Sequence, residues 1–371
     1  MSMPHWKIFQ LRFASGSLTQ YLNVRYTDKL VSESTVDDVE GTLSRFIPPE
    51  EDATTFHPPG RLIYSYTRPA PSVSTDKGKD TLNFQPLDPD SEDSVVFEAT
   101  WSTGGFRELH RRMQVFILFY IEAGSYINED EDSWEFVILY WKRKRRGTPN
   151  MATYHFVGYS SLYPFYFFPE KTRMRLSQFV ILPPYQRRGH GSELYKAIYQ
   201  HILSQPNIAE LTVEDPAEAF EDLRDRNDLQ MLLSNERFME EGFGSEAVTH
   251  GGGRVGGVGR AGKSRRGGKD TISAKRKMGP PSDKAWLEKW RNDLKIAGRQ
   301  FHRLVEMLLL LRLDSTDARA ERAYRIQVKE RLYRFNFEIL AQLEKEGRLE
   351  KLEETFQSVR QDYSRILAMV S

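Results

Sequence analysis

The sequence predicts an α/β fold, a mixed sheet flanked by helices, with a smaller α+β region before it and helices after it. Three observations carry this. Short apolar runs alternate with amphipathic helical stretches between residues 106 and 233. A strand, a glycine loop and a helix follow one another without a gap over 179–202. From Asp283 to the end, apolar residues recur at helical spacing. The 371 residues suffice for two or three ordinary domains. We divide them at 1–105, 106–243, 244–282 and 283–371.

Residues 21–26 alternate weakly and read as a strand. Residues 36–46 have helical spacing and stop before Pro48 and Pro49. The Pro-, Ser- and Asp-rich stretch 66–94 reads as loop. Residues 106–124 are expected to form one helix, with Met113, Phe116, Ile117, Tyr120 and Ile121 on one face. An acidic loop follows at 128–132. Strands are expected at 134–141 and 153–163. The basic run 142–147 falls between them, where a hairpin turn belongs. It reads as a solvated turn or as a nuclear-import signal. Residues 163–168 carry five aromatic rings around Pro164, at least half of them expected in the core.

The central stretch is the most informative. Phe179 to Leu182 is an apolar strand, and Pro183 and Pro184 end it because neither can donate to a ladder. After Gly189 and Gly191, Leu194, Ala197, Ile198 and Ile202 mark a helix, with Pro206 just beyond. Strand, glycine loop and helix aim backbone N–H groups and a helix N-terminus at one spot, which suits a phosphate. The P-loop of nucleotide hydrolases is excluded because Ser192 and Glu193 follow Gly191. The dinucleotide fingerprint is excluded because Leu194 stands where a third small residue belongs. What remains is Gln-x-x-Gly-x-Gly at 186–191, which also fits an ordinary strand-to-helix turn. A strand is expected at 208–214 and a helix from 216 to about 233. Residues 244–282 are rich in Gly, Arg and Lys, and are expected to be a disordered insert or translated intron. The remaining helices are expected to end near 313 and to span 316–345 and 349–369. Leu304 to Leu311 is apolar nearly all round, so it should be buried.

The loop Gln186–Gly191 resembles the pyrophosphate loop of the Gcn5-related N-acetyltransferases. The run 211–228 (LTVEDPAEAFEDLRDRND), the run 301–310 (FHRLVEMLLL) and the segment 115–134 resemble the type B histone acetyltransferase catalytic subunits. The resemblance covers much of 20–243 and 285–313. It implies transfer of acetyl from acetyl-coenzyme A to lysines of the N-terminal tail of newly made histone H4. It also implies a WD-repeat histone-binding partner, and work in cytoplasm and nucleus. The family has several dozen further residues before this chain's start, so the sequence is truncated or part of the substrate groove is missing.

Acetyl transfer to lysine needs a held cofactor, a polarised thioester carbonyl and a deprotonated amine whose free pKa is about 10.4. Gln186, Arg187, Arg188, Gly189, His190, Gly191 and Ser192 are expected to hold the pyrophosphate. By resemblance, Phe179, Val180 and Ile181 pair with the pantetheine arm, and Ala217, Phe220 and Arg226 add cofactor contacts. Arg226 also fits a plain helix charge paired with Asp222. Glu214, at a strand end, is the expected base, with an apolar surround raising its pKa. Asp215 is either a helix cap, with Glu218 three residues on and Pro216 at the first helical position, or a catalytic assistant. Glu122 joins the site by resemblance alone. Trp134, Tyr166, Phe167 and Phe168 are placed by resemblance at the peptide groove, and Trp134 also fits a core position. Glu129–Asp132, with Glu122, could attract a basic tail.

Composition excludes several classes. With no cysteine there is no disulfide, no thiolate zinc site and no cysteine nucleophile, so direct attack in a ternary complex is the simplest scheme. The histidines show no metal-ligand spacing, and no metal is expected. A net charge of +1 gives no global field for nucleic acid or an anionic membrane. No apolar run is long enough to span a membrane. The rival functions are acetylation of another protein or a small amine, and a non-catalytic histone-chaperone subunit.

Overall fold

In the computed structural model the described residues are 7–26, 41–42, 45, 57–67, 92–145, 148–244 and 277–370. They fall into two units, Met1–Asn207 with Val213–Asp215, and Ile208–Thr212 with Pro216–Ser371. Residues 218–243, expected in the acetyltransferase domain, therefore belong to the second unit. Of the expected helix 36–46, only 41, 42 and 45 are described, and 41–42 are helical.

The first unit begins with an antiparallel hairpin, β1 (Lys7–Phe13) and β2 (Gln20–Tyr26). Next come β3 (Arg61–Thr67) and β4 (Glu92–Thr100), which occupy both ends of the expected 66–94 loop. Then follow α1 (Phe106–Met113), α2 (Val115–Tyr120), β5 (Glu135–Arg145), β6 (Thr148–Phe167) and β7 (Lys171–Ile181). The strands β3-β4-β5-β6-β7 pair antiparallel in that order. The last are α3 (His190–Ser204) and β8 (Ile208–Val213), which straddles the two units. Where the chain enters and leaves β8, Thr172 N–H donates to Asn207 C=O and Glu214 N–H donates to Leu176 C=O. Residue numbers rise together on both sides, so this pairing is parallel and the sheet is mixed.

Phe136 to Tyr140 on β5 are fully buried on both faces, which is why that strand reads as an unbroken apolar run. One sheet face packs Phe136, Ile138, Tyr140, Phe156 and Val180 against Phe106, Leu109, Met113, Phe116 and Ile117. The other face is covered by α3. As the spacing predicts, α3 buries Leu194, Ala197, Ile198 and Ile202.

The structure departs from the sequence expectation at several places. The helix expected to reach residue 124 stops at Tyr120, where Ile121 turns extended, and Tyr120 is exposed rather than core. The chain then doubles back so closely that a Cβ on Gly124 would lie 2.6 Å from Ile117 Cγ2. The basic run is not a turn over most of its length. β5 continues through Arg145, because its partner β6 extends back to Thr148 and supplies the ladder. The aromatic run is not core. Tyr166 and Phe168 are 74% and 79% exposed, and none of the five rings is fully buried.

His110 is sealed among Trp101, Phe106 and Phe136, and neither ring nitrogen has a hydrogen-bond partner. Burial, with Arg111 adding to it, pushes its pKa down to about 3. The unfolded chain takes up that proton near pH 6.5 and the folded one does not. Stability is therefore undiminished above pH 6.5 and falls as pH drops toward 3. Between pH 7 and 5 this one group should cost about 2 kcal/mol. Urea titrations at the two pH values should show that slope, and His110→Leu should remove it.

The second unit is helical: α4 (Glu218–Ser234), α5 (Glu236–Phe243), α6 (Lys284–Asp293), α7 (Gly298–Leu311), α8 (Ala318–Phe335), α9 (Phe337–Ala341) and α10 (Lys345–Val370). Phe238 stacks on Trp286 and meets Trp290 and Phe301 edge-on. Glu241 accepts both indole N–H groups, at 2.8 and 3.0 Å. Those bonds, with Arg237, hold its carboxyl down at about 2. The apolar stripe of α7 is buried as predicted. Met278 and Ser282, expected within the disordered insert, are held in place. Met278 is fully buried, its N–H donates to Gly242 C=O, and Ser282 bonds Gln327. Residues 245–276 lie outside the described residues.

Candidate active site

β7 alternates strictly. Met174, Leu176, Gln178 and Val180 face the core, while Arg173, Arg175, Ser177, Phe179 and Ile181 share the other face. Leu182 N–H donates to Val157 C=O at 2.9 Å. Val180 therefore also turns its peptide groups to β6, and Phe179 and Ile181 carry theirs on the opposite edge. Of the three expected backbone partners for a pantetheine arm, two lie on that edge. The Gln186 amide donates to Ile181 C=O at 2.8 Å and ties the loop to the strand end.

Pro183–Tyr185 forms one 3-10 turn, with Arg187 at φ 57° and Gly189 at φ 82° after it. Gly189 is the N-cap of α3 in the left-handed region, which glycine enters at least cost. Gly191 lies inside the first helical turn. The first intrahelical bond is Glu193 N–H to Gly189 C=O at 3.1 Å, so the amides of His190, Gly191 and Ser192 form the helix's leading turn. Arg187 and Arg188 are exposed beside it. The His190 side chain points inward, against the Tyr185 ring. Tyr64 OH donates to Glu193 at 2.8 Å and pins β3 to the same turn.

Glu214 is 45% exposed at the side chain. Ser177 Oγ donates to it at 2.7 Å and Arg175 Nη1 stands 3.5 Å away. The expected apolar surround is absent, because the polar face of β7 meets the carboxylate. Arg175 also lies over the Phe165 ring at 4.2 Å. Phe165 meets Tyr163 at 5.0 Å, Tyr163 meets Trp134 at 4.8 Å, and Trp134 Nε1 donates to Glu131 at 3.0 Å. A continuous row thus runs from the acidic loop to Glu214. Trp134 is half-buried, with one side on the core. Phe167 is half-buried under Arg173, and Tyr166 and Phe168 stand out at the hairpin end.

Within the acidic loop, Glu129 is taken up by Arg107 and Arg111, Asp132 stands 3.9 Å from Arg107 yet is 92% exposed, and Asp130 is exposed. Glu122 is exposed in the turn after α2, and that turn is tied to β7 where Gln178 donates to Ser125 C=O at 3.0 Å. Asp215 is not a helix cap. It adopts φ 34°, and α4 begins only at Glu218 with Ala217 as N-cap, so Asp215 is too far upstream to reach the first amides. Phe220 N–H bonds Ala217 C=O in the first turn of α4. Arg226 is half-buried on α4. The pair expected with Asp222 is replaced, since Arg365 holds Asp222 through two bonds of 2.6 and 2.7 Å. Ser177 and Arg175 are not among the residues expected from sequence, although the period-2 polar face 173, 175, 177 marks them.

Three family profiles match the chain: Histone acetyl transferase HAT1 N-terminus over residues 7–122, Acetyltransferase (GNAT) family over 115–220, and Fungal HAT1, C-terminal, over 268–314. Several relatives bear the name histone acetyltransferase type B catalytic subunit. That of Cryptococcus neoformans is 47% identical over 97% of this chain and 84% of its own length. That of Mycosarcoma maydis is 40% identical over 95% and 77%. That of Kluyveromyces lactis is 30% identical over 99% and 83%.

Proposed function

The chain belongs to the type B histone acetyltransferase catalytic subunits, and from that premise we propose that it acetylates lysines in the N-terminal tail of newly made histone H4 by direct attack in a ternary complex. Acetyl-coenzyme A is the donor. Its pyrophosphate is held by the leading turn of α3 with Arg187 and Arg188, and its pantetheine arm lies along the Phe179–Ile181 edge of β7. The observation that carries this reading is Glu214, held by Ser177 and Arg175 at the end of the aromatic row that starts at the acidic loop. The tail, a basic chain, lies along Trp134, Tyr166, Phe167 and Phe168, drawn by Asp130 and Asp132.

In the reaction Glu214 accepts the proton of the incoming lysine. The neutral Nζ then attacks the thioester carbon, the C–S bond breaks, and the coenzyme A thiolate leaves and takes up a proton. Ser177 and Arg175 fix the direction of the accepting oxygens. Glu122 and Asp215 stand as assisting carboxylates. A WD-repeat histone-binding subunit is the proposed partner, and cytoplasm and nucleus are the proposed places of action. No described helix is long and apolar enough to cross a membrane.

Initial-rate kinetics with both substrates varied test the scheme. Direct attack predicts intersecting double-reciprocal lines, and parallel lines would mean an acetyl-enzyme. The cofactor loop has its own test. Gly189→Val places a β-branched side chain at φ 82° and crowds the pyrophosphate. Calorimetric titration should show coenzyme A binding weakened by about tenfold or more, and unchanged affinity would move the cofactor elsewhere.

A further inference from the structure

The face of α3 that covers the sheet runs Leu194, Ala197, Ile198, then His201, then Ile202. His201 holds a position that helical spacing gives to an apolar side chain, and it is buried to 8% exposure. Two carboxylates face it from adjacent strands. Glu98 on β4 lies diagonally from Glu135 on β5, since the ladder pairs Glu98 with Val137 and Thr100 with Glu135. Three polar groups thus meet where helical spacing gives an apolar side chain, the kind of break in pattern found at functional sites.

We propose that Glu98, Glu135 and His201 bind one divalent cation of the zinc class. One ligand atom from each lies within 4.8 Å of the others, and His201 Nε2 is 3.5 Å from Glu98 Oε1. Tetrahedral ligands at zinc distances stand roughly 3.4 Å apart, so small side-chain shifts complete the set. Glu98 divides its oxygens: Oε2 pairs with Arg61 on the outer side, and Oε1 turns to His201. Among the described residues no cation pairs with Glu135. A cleft lined by Gly60, Arg61, Thr100 and Thr103 reaches Glu98 from outside. The imidazole ligand favours zinc over magnesium or calcium, which take oxygen donors.

The cation acts as a clamp on the fold. His201 lies eleven residues after His190, roughly 16 Å along the helix from the glycine loop. It would join α3, whose start forms that loop, to β4 and β5. Nothing in this depends on the proposed acceptor or base.

Calorimetric titration of the full chain with zinc chloride, and separately with magnesium chloride, tests the site. Wild type should bind one zinc ion saturably and gain melting temperature, with no comparable response to magnesium. His201→Asn and Glu135→Gln should each weaken zinc binding by about tenfold or more and lose the temperature gain. Glu135→Gln keeps size and serves if the His201 variant does not fold. Absence of saturable zinc binding to wild type, equal affinity in a folded variant, or magnesium binding as tight as zinc would each overturn the proposal.

Discussion

Glu214→Gln is expected to lower turnover at neutral pH by roughly 10²–10⁴-fold, the range for loss of a general base. The amide keeps the size of the side chain and its bond from Ser177, so the strand end should hold its shape. Coenzyme A affinity should change little, because the Gln186–Ser192 loop is a separate stretch. Raising the pH should partly restore the variant, since more of the acceptor lysine is then already neutral. Comparison variants locate the effect. Asp215→Asn keeps a residue that tolerates the left-handed backbone at φ 34°. With the cap role gone, any rate lost there is chemical rather than structural. Glu122→Gln tests the third carboxylate. pH–rate profiles of the three variants separate them, and normal turnover by Glu214→Gln at neutral pH would remove the assignment.

The largest expected effect on stability lies in the second unit. Glu306 is 2% exposed on α7. It accepts Arg331 Nε and Nη2 at 2.7 and 2.8 Å and Tyr363 OH at 2.8 Å. Burial pushes the Glu306 carboxyl up, and Arg331 opposes that shift. Arg331→Met removes the compensating charge and should cost about 3–5 kcal/mol in urea unfolding. Glu306→Gln with Arg331→Met should cost less, since no buried charge is then left alone. The pH dependence has a fixed sign. A carboxyl raised in the folded state binds more protons folded than unfolded, so the loss in Arg331→Met should shrink as pH falls. A loss as large at pH 5 as at pH 8 would mean that packing rather than charge dominates.

The strand, loop and helix over 179–202 were legible because three local signals agreed: an apolar run, two prolines, and glycines before a 3.6-residue period. The buried stripe of α7 was legible for the same reason. What could not be read depended on partners distant in sequence. The basic run lies in β5 because β6 supplies its ladder, and nothing in Lys142 or Arg143 announces that. Asp215 and Glu218 have the spacing of a capping box, yet the chain leaves β8 with Asp215 left-handed and α4 starts later. The rings at 163–168 look like core by composition, but the hairpin carries them past the sheet's covered region. Ser177 lies two residues before the apolar run, and its role appears only when Glu214 is brought alongside β7. Glu98, Glu135 and His201 come from three elements, so no spacing rule links them.

The most direct measurement is mass spectrometry of a histone H4 tail peptide incubated with the full chain and acetyl-coenzyme A. The expected result is acetyl groups on lysines of the tail with wild type, and nearly none over the same time with Glu214→Gln. An unmodified H4 peptide beside an acetylated small amine or unrelated peptide would contradict the proposed acceptor, and no acetyl transfer to any amine would contradict the catalytic reading itself.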